Sequence, residues 1–260
     1  MKKLYFLGGL PRSGSTLLGS LISQHPDVYV SPTSPMGDLV VSMESSIEIA
    51  YSQYTFDRKI ISYNVYSSLI NNYYNHIDKP IILDKHRFWS KNLNIVDEFI
   101  NNEAKVVATY RPIPDVITSY ISLINRSNHV DNFIDNALRD NGYEITNNNR
   151  ADHIWRYHVS PSYGSIVYGI NAYPEKIHLV DYDKLIHNPQ EELDKIYRFL
   201  DIEPCGNNFE QIYNACSEEK DESWGLKGLH DIRPKLSKIS ENPIDVIGKE
   251  NVELYSKFNF

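Results

Sequence analysis

One stretch near the start of the chain, residues 4–21 (LYFLGGLPRSGSTLLGSL), limits the possible folds more than any other. It opens with the apolar run Leu4–Leu7 and continues through two glycines, a proline and the polar segment Arg12–Thr16. Leucines at helical spacing follow from Leu17 onwards. This order predicts a β-strand, then a tight loop, then the N-terminus of a helix.

The loop in this stretch has the spacing of a phosphate-binding loop but lacks its lysine. Gly9 and Gly14 stand five residues apart, as in the motif GxxxxGK[ST], but Ser15 follows Gly14 where that motif has lysine. Glycines let backbone N–H groups approach an anion, and a helix N-terminus adds unpaired donors and about half a positive charge. Because the lysine that reaches the β- and γ-phosphates of an NTPase is missing, we predict a phosphate site that does not serve ATP hydrolysis.

Side chains of the same loop provide further hydrogen-bond donors. The hydroxyls of Ser13, Ser15 and Thr16 can donate to phosphate oxygens. The Arg12 guanidinium can bind two such oxygens at once. The alternative is a glycine-rich turn that binds nothing, and the succession of strand, loop and helix favours the phosphate site.

The composition excludes several classes of protein. The 260 residues fit one α/β domain, predicted over residues 1–260, and a hydrophobic content of 41% suffices for a core. A net charge of −8 argues against nucleic-acid binding, which needs a basic face. No segment is long and apolar enough to span a membrane, so we expect a soluble cytoplasmic protein. The two cysteines, Cys205 and Cys216, show no spacing typical of metal ligands. They are expected to be buried free thiols, and a disulfide between them is the alternative.

Four further apolar runs predict strands, and helical patterns lie between them. The runs are Val28–Val30, Pro80–Leu83, Lys105–Tyr110 and Ile177–Val180. Strands that alternate with helices are typical of an α/β fold with a central parallel sheet flanked by helices, here of the phosphate-loop type. Loops that follow parallel strands lie on the ligand side of the sheet, so the rigid loop Ser31–Pro35 is expected to border the site.

The segment Pro11–Leu18 (PRSGSTLL) resembles the 5′-phosphosulfate loop of the sulfotransferases, especially the Golgi and bacterial branch with the motif PRSG[ST]T. This family transfers a sulfuryl group from 3′-phosphoadenosine 5′-phosphosulfate (PAPS) and releases 3′-phosphoadenosine 5′-phosphate (PAP). The resemblance implies the sulfotransferase fold, which is similar to that of phosphate-loop nucleotide-binding proteins. It also implies that the 5′-phosphate is bound by Pro11, Arg12, Ser13, Gly14, Ser15 and Thr16.

Three basic residues, Lys85, His86 and Arg87, follow the predicted strand Pro80–Leu83. In sulfotransferases a lysine at this point contacts the oxygen that bridges phosphate and sulfate, and the resemblance implies this role for Lys85. Cytosolic members place a histidine base two residues after that lysine, whereas His86 follows Lys85 directly. His86 is the first candidate for the general base, and a histidine with a structural role is the alternative.

The general base has a second candidate. Golgi members carry a glutamate in the loop after the second strand, but the corresponding residues here, Ser31–Ser34, include no carboxylate. Asp38 lies slightly further along the chain and is the second candidate. A reaction with little need for a base is the remaining alternative.

The strand Lys105–Tyr110 leads to Arg111, and Ser119 follows eight residues later on a predicted amphipathic helix. An arginine and a hydroxyl together can bind a terminal phosphate through charge-assisted hydrogen bonds. The spacing resembles the 3′-phosphate site of sulfotransferases, which implies this role for Arg111 and Ser119. Golgi members have a further arginine four residues after the serine; here Leu123 stands there, and Arg126 is a candidate substitute.

Two later segments complete the predicted site. Tyr182 and the pair Asn188-Pro189 resemble a late βα unit of sulfotransferases in which the tyrosine contacts the adenosine. Asn188 is expected to cap the helix that Pro189 opens. The tail from Trp224 contains Lys227, and in sulfotransferases a late basic loop folds over the cofactor; a solvated run of charges is the alternative.

Together these residues predict a PAPS-dependent sulfotransferase that moves the sulfuryl group to a hydroxyl or amine of an acceptor by in-line displacement. Lys85, Arg12 and the loop hydroxyls are the candidates for stabilising the leaving group, and no metal is required. One alternative is a phosphate-loop kinase for a nucleoside or small molecule, and another is a non-catalytic module that binds PAP or PAPS. The sequence identifies neither the acceptor nor the oligomeric state.

Overall fold

The computed structural model describes residues 2–53, 58–97, 103–127, 131–215, 221, 225–238 and 241–260. Cys216 and Trp224, both named above, lie outside these residues. In the part of the chain described, no helix has an apolar stretch that could cross a bilayer.

A parallel sheet forms the centre of the described structure. Its strands are β1 (Lys3–Gly9), β2 (Val28–Thr33), β3 (Ile81–Lys85), β4 (Val106–Tyr110) and β5 (Ile177–Asp181). They are hydrogen-bonded in the order β2-β3-β1-β4-β5, and every neighbouring pair is parallel. The prediction of an α/β fold with a central parallel sheet flanked by helices is confirmed.

Helices connect the strands and cover both faces of the sheet. They are α1 (Ser15–Ile22), α2 (Met36–Gln53), α3 (Arg58–Asn72), α4 (Trp89–Asp97), α5 (Ile113–Arg126), α6 (Phe133–Asp140), α7 (Asn147–Ile154), α8 (Ser160–Ala172), α9 (Tyr182–His187), α10 (Pro189–Phe199) and α11 (Pro243–Tyr255). A π-helical turn, Trp155–Val159, joins α7 to α8, and a short 3₁₀ turn, Pro174–Lys176, precedes β5.

Alternate residues of each strand face two different apolar cores. On β1, Phe6 belongs to the first core and Leu7 to the second, and on β3 Ile82 and Leu83 divide in the same way. The first core includes Trp89 at the start of α4, and the second includes side chains of α1 and α10. Both faces are buried because helical crossovers cover a parallel sheet on each side. The loops at the carboxyl ends of the strands are therefore left to form a ligand site.

Two strands near the site are longer than predicted. A loop was expected from Ser31, but β2 continues to Thr33, where it pairs with Lys85 after a shift in register. Similarly, β3 extends through Lys85 and does not end at Leu83. The Lys85 amide donates a hydrogen bond of 2.8 Å to the Ser31 hydroxyl, which holds the two strand ends together. A bond from backbone to side chain has no periodic signature in the sequence.

Three other details differ from the sequence prediction. Helix α4 has no counterpart in it. Asn188 precedes α10, but its side chain makes no capping hydrogen bond, and its carbonyl oxygen accepts from the Glu192 amide at 3.1 Å. Pro189 opens the helix as expected. Cys205 is a free thiol that is half-buried, not fully buried.

Candidate functional site

A cavity of about 560 Å³ lies at the carboxyl end of the sheet. Its walls come from the loop after β1, from the ends of β3, β4 and β5, and from a late segment, residues 227–237. Of the predicted site residues, Ser13 and Asp38 lie outside the lining. Those in the lining are Pro11, Arg12, Gly14, Ser15, Thr16, Lys85, His86, Arg111, Ser119, Tyr182 and Lys227.

The loop after β1 depends on glycine at two points. Gly9 has a φ of 135° and Gly14 a φ of 89°, in the region that favours glycine. A Cβ at Gly9 would collide with Thr109, and a Cβ at Gly14 would lie 2.6 Å from the Tyr182 ring. Gly14 also stands at the N-cap of α1 and has no side chain to cap it. The first amides of α1 are therefore available to an anion.

The Ser13 side chain holds the loop in place. It is fully buried, and its hydroxyl lies 2.6 Å from the Leu10 carbonyl oxygen and 2.6 Å from Thr109 Oγ1. These contacts tie the loop to the end of β4. The side chains of Ser15 and Thr16, by contrast, line the cavity at the start of α1.

Lys85 ends β3 beside this loop. Its ammonium donates to the Thr16 hydroxyl at 3.2 Å, and only 6% of the residue is exposed. Successive strand residues point to opposite faces, so Asp84 points into the first core. There its carboxylate accepts hydrogen bonds from Trp89 Nε1 at 2.6 Å and from the Tyr74 hydroxyl. Burial raises the pKa of Asp84, and the two donors fix the strand end that carries Lys85.

The two candidates for the general base contact each other. His86 Nε2 lies 3.2 Å from Asp38 Oδ1. The imidazole is buried against the start of α2, where a Cβ on Gly37 would collide with it, and the Phe88 amide donates to Nδ1 at 3.5 Å. The Asp38 side chain is 74% exposed. Of this pair, His86 is the residue that reaches the cavity.

Arg12 is directed across the cavity. Its Nε donates to Ser119 Oγ at 3.3 Å, and its Nη1 donates to the Leu229 carbonyl oxygen. Burial lowers the pKa of the guanidinium, which still stays charged because arginine is not deprotonated in proteins. These contacts place Arg12 next to a residue predicted for the 3′-phosphate and join the loop to the late segment.

Arg111 and Tyr182 form a wall of the cavity. Arg111 is 5% exposed, and its Nη2 lies 3.3 Å from Asp115 Oδ1. Its Nε is buried and has no hydrogen-bond partner among the residues described. The Arg111 Cζ lies 4.8 Å from the centroid of the Tyr182 ring, a cation–π contact, and the edge of this ring also lies close to Gly14. A buried, charged N–H group without a partner is costly, which indicates a place for an anionic ligand.

Helix α5 supplies Ser119, Leu123 and Arg126 to the same cavity. Arg126 is exposed, and its Nε donates to the Ser122 carbonyl oxygen at 3.1 Å. Its charge contributes to the lowered pKa of Arg12, so the two guanidinium groups are near each other. The structure thus brings Arg126, the candidate named from the sequence, to the Ser119 side of the cavity.

The late segment closes the remaining wall. Lys227 is exposed there. Besides the bond from Arg12, Asn214 Nδ2 donates to the His230 carbonyl oxygen at 3.0 Å. Just after the segment, Lys238 Nζ lies 2.8 Å from Asp183 Oδ2. The basic composition of the tail is the feature of the sequence from which this wall could be predicted.

Some residues that shape the site carry no recognisable signal in the sequence. Gly37 admits the His86 ring, and Thr109 anchors the loop through Ser13. Asp84 fixes the end of β3 through Trp89. Within the described ranges, no group of three or more His, Cys, Asp or Glu side chains is arranged to hold a metal ion.

Comparison with known proteins identifies the family to which the chain belongs. The family model described as "Sulfotransferase family" matches residues 5–205. Among solved structures, the chain is similar to the sulfotransferase domain from the curacin biosynthetic pathway, with a TM-score of 0.51, 15% identity and coverage of 100% of this chain and 92% of that chain. It is also similar to the sulfotransferase STF9 from Mycobacterium avium, with a TM-score of 0.50, 12% identity and coverage of 98% and 75%.

At these identities the solved structures support the fold alone. Curated protein sequences give no significant match. The family model, however, spans most of the chain, from β1 through α10. The chain belongs to the sulfotransferase family.

Proposed function

We propose that this protein transfers a sulfuryl group from PAPS to a hydroxyl or amine of an acceptor. The observation that carries the proposal is the lining of one cavity by the loop and α1 N-terminus, by Lys85, and by Arg111 with Ser119. An anion site at the loop with Lys85 beside it, and a second one at Arg111 and Ser119, suit a nucleotide that carries a 5′-phosphosulfate and a 3′-phosphate. When bound, PAPS supplies the sulfuryl group, and PAP is the product.

The residues present fit this nucleotide. Gly14 leaves the first amides of α1 open to the 5′-phosphate, with the side chains of Ser15 and Thr16 beside them. The Nε of Arg111, which has no partner in the described part of the chain, and the Ser119 hydroxyl are suited to the 3′-phosphate. Tyr182 offers a ring beside Arg111 for the adenosine.

Lys85 is the residue proposed to stabilise the leaving group. Its ammonium lies 3.2 Å from the Thr16 hydroxyl, at the place where the loop holds the 5′ end. A preorganised donor of this kind stabilises charge that develops on the leaving oxygen, most strongly in a site that excludes water. Arg12, which is charged and half-buried in the loop after β1, adds positive potential.

His86 is proposed as the base that takes the proton from the acceptor. The Phe88 amide donates to Nδ1 at 3.5 Å, so in the neutral imidazole Nδ1 holds the lone pair and Nε2–H donates to Asp38. The proton of the acceptor therefore goes to Nδ1, in place of this long contact. A carboxylate next to a histidine favours the imidazolium that forms when the proton is taken. Asp38 therefore supports His86 in this proposal.

The test combines binding with transfer. PAP is expected to raise the melting temperature of the protein, whereas ATP is not, because the loop lacks the lysine of an NTPase. Transfer of radiolabelled sulfate from PAPS to a panel of phenols, sugars and peptides is then expected for at least one acceptor class. Stabilisation by ATP but not PAP would instead support a kinase, and PAP binding without any transfer would support a non-catalytic module.

A further inference from the structure

The side chain of Arg12 leaves the loop to which it belongs. Its Nε donates to Ser119 Oγ on α5 at 3.3 Å, and its Nη1 donates to the Leu229 carbonyl oxygen in the late segment. The backbone φ of Arg12 is 58°, in the left-handed region that residues other than glycine rarely adopt. Strain of this kind persists where the surrounding structure fixes it, often at sites that clamp a ligand. Arg12 therefore belongs to the loop by sequence and to the α5 side of the cavity by its contacts.

The 5′ end of the cavity is complete without the Arg12 side chain. Gly14 leaves the first amides of α1 open, and Lys85 Nζ donates to the Thr16 hydroxyl at 3.2 Å. In the described part of the chain, the Arg12 side chain forms no hydrogen bond with Ser15 or Thr16. The cation beside the 5′ end is therefore Lys85, and the Arg12 guanidinium is left for another group.

Arg12 and Arg111 follow the ends of two neighbouring strands. The Leu10 amide, just after β1, donates to the Thr109 carbonyl oxygen of β4 at 2.9 Å, and each arginine stands two residues after this bond. Both side chains reach α5: Arg12 contacts its hydroxyl, and Arg111 Nη2 lies 3.3 Å from Asp115 Oδ1. Among the residues described, neither Arg12 Nη2 nor the buried Arg111 Nε has a hydrogen-bond acceptor. Two guanidinium groups thus bring N–H donors to one side of the cavity without an acceptor for them.

Helix α5 has no cation of its own next to Ser119. Ser119, Leu123 and Arg126 are spaced by four and three residues, so they share one face of the helix, and all three line the cavity. Leu123, one turn after Ser119, is apolar, and Arg126 is exposed two turns away. The cation in contact with Ser119 is therefore Arg12. Because the Ser119 oxygen accepts from Arg12 Nε, the proton of this hydroxyl can be donated to another acceptor.

The charges on this side of the cavity suit a phosphate monoester. Arg111 pairs with Asp115, whereas Arg12 and Arg126 form no ion pair within the described ranges. A phosphate monoester carries a charge of about −1.5 to −2 at pH 7, which one guanidinium does not balance. In PAPS the 3′-phosphate is a monoester, whereas the 5′-phosphate also carries the sulfuryl group. Charge balance therefore favours the α5 side for the 3′-phosphate.

We infer that Arg12 binds the 3′-phosphate together with Arg111 and Ser119, and that it is a specificity-determining residue for nucleotides that carry this group. The inference rests on the proposed function. Arg12 Nη2, Arg111 Nε and the Ser119 hydroxyl donate to the phosphate oxygens. The loop after β1 then contacts both ends of the nucleotide, because its amides and hydroxyls bind the 5′ end and its arginine binds the 3′ end.

The first test compares three nucleotides that differ in their phosphates: PAP, AMP and adenosine 3′-phosphate. Each is titrated calorimetrically into the wild type and into Arg12→Gln. The variant is expected to bind PAP and adenosine 3′-phosphate roughly tenfold or more weakly, the scale of one charge-assisted contact, and to bind AMP almost as the wild type does. A loss of AMP affinity that equals or exceeds the loss for adenosine 3′-phosphate would overturn the inference.

Three further variants accompany this titration. Thr16→Val removes a hydroxyl at the 5′ end and is expected to give the opposite pattern, with weaker PAP and AMP binding and unchanged binding of adenosine 3′-phosphate. Arg198→Gln removes an exposed guanidinium of α10, whose Nε donates to the Asp194 carbonyl oxygen at 3.2 Å, and is expected to bind all three nucleotides as the wild type does. Arg12→Lys keeps the charge without the planar fork and gives the same comparison, with a smaller loss, should Arg12→Gln fail to fold.

The second test is a double-mutant cycle that needs PAP alone. Because Arg12 contacts Ser119, Arg12→Gln and Ser119→Ala together are expected to cost less binding free energy than the sum of the two single losses. The losses from Arg12→Gln and Thr16→Val are expected to add. Additive losses for Arg12 and Ser119 would overturn the inference. A wild-type protein that binds no PAP would instead overturn the proposed function, so the two failures are distinguishable.

Discussion

His86 Nε2 lies 3.2 Å from Asp38 Oδ1, which joins the loop after β3 to the first turn of α2. The contact is possible because Gly37 has no side chain where the imidazole lies. A buried imidazole beside an exposed carboxylate is an arrangement in which the histidine can take a proton and the carboxylate can stabilise the resulting charge. We therefore propose that His86 and Asp38, the two candidates for the general base, act together.

The contact between His86 and Asp38 predicts that the losses of kcat caused by replacing each residue are not additive. His86→Ala is expected to lower kcat by roughly a hundredfold, the usual scale for one general base. Asp38→Asn is expected to lower kcat less, because it removes support for the imidazolium and leaves the base in place. The double variant should lose little more than His86→Ala alone, since both residues act as a unit. Steady-state kinetics gives these values, and independent, multiplicative losses would contradict the joint role.

Arg111 is predicted to read the 3′-phosphate. The wild type should bind PAP more tightly than AMP, because Arg111 Nε is buried and has no partner among the described residues. Arg111→Ala should reduce PAP affinity by roughly tenfold or more and leave AMP affinity much less affected. Calorimetric titration of both nucleotides measures the two effects. Equal losses for PAP and AMP would mean that Arg111 supports only the Tyr182 ring.

Lys85 is predicted to act in the chemical step. Charge on the leaving oxygen grows as the S–O bond breaks, so a lysine aimed there supports the transition state more than the ground state. Lys85→Ala is expected to lower kcat by roughly a hundredfold or more, with a much smaller change in PAP affinity. Lys85→Arg should rescue poorly, because a planar fork does not replace a point charge. A near-normal kcat in Lys85→Ala would leave Arg12 and the loop amides to stabilise the leaving group.

The buried imidazole of His158 is expected to make the stability of the protein depend on pH. Burial lowers its pKa from 6.5 to about 4, so the unfolded chain takes up a proton at a higher pH than the folded protein does. The free energy of unfolding is therefore expected to fall as the pH is lowered from about 6.5 towards 4. Because the side chain is partly exposed, we expect about 2 kcal/mol from this residue, somewhat less than the full shift gives.

The pH dependence of the free energy of unfolding is measured by urea unfolding at several pH values. His158→Gln cannot titrate and should lose this part of the pH dependence. His187→Gln, on the exposed end of α9, controls for the loss of an imidazole. Identical pH dependence in wild type and His158→Gln would exclude the proposed burial effect.

The parallel sheet could be predicted because each strand is a short apolar run that ends at a change of residue type. Gly9, Lys85 and Arg111 mark such ends, and parallel strands bring their carboxyl ends to one edge. The extent of β2 could not be predicted, because it depends on the bond from the Lys85 amide to Ser31. Local pattern therefore decided the fold class, and contacts between distant residues decided the strand bounds.

The orientation of the side chains in the site could not be predicted from the sequence, for a similar reason. Arg12 was expected to face the 5′-phosphate, but its partners Ser119 and Leu229 lie 107 and 217 residues away along the chain. The Ser13 hydroxyl was expected among the ligand donors and is instead held by Thr109. Motif spacing identifies which residues gather at a site, whereas their partners depend on how the strands and the late segment pack.

The alternation along β3 has a consequence for how this strand can change. Asp84 lies among Tyr74 and Trp89, and Lys85 lies beside Thr16. Deleting or inserting one residue before Asp84 would reverse the faces to which the two side chains point, because side chains alternate with a period of two. The carboxylate would then point to the face that Lys85 now occupies, and the ammonium would point into the first apolar core. Substitution of Ile82 by another apolar residue keeps both placements, so the length of β3 is constrained more tightly than its composition.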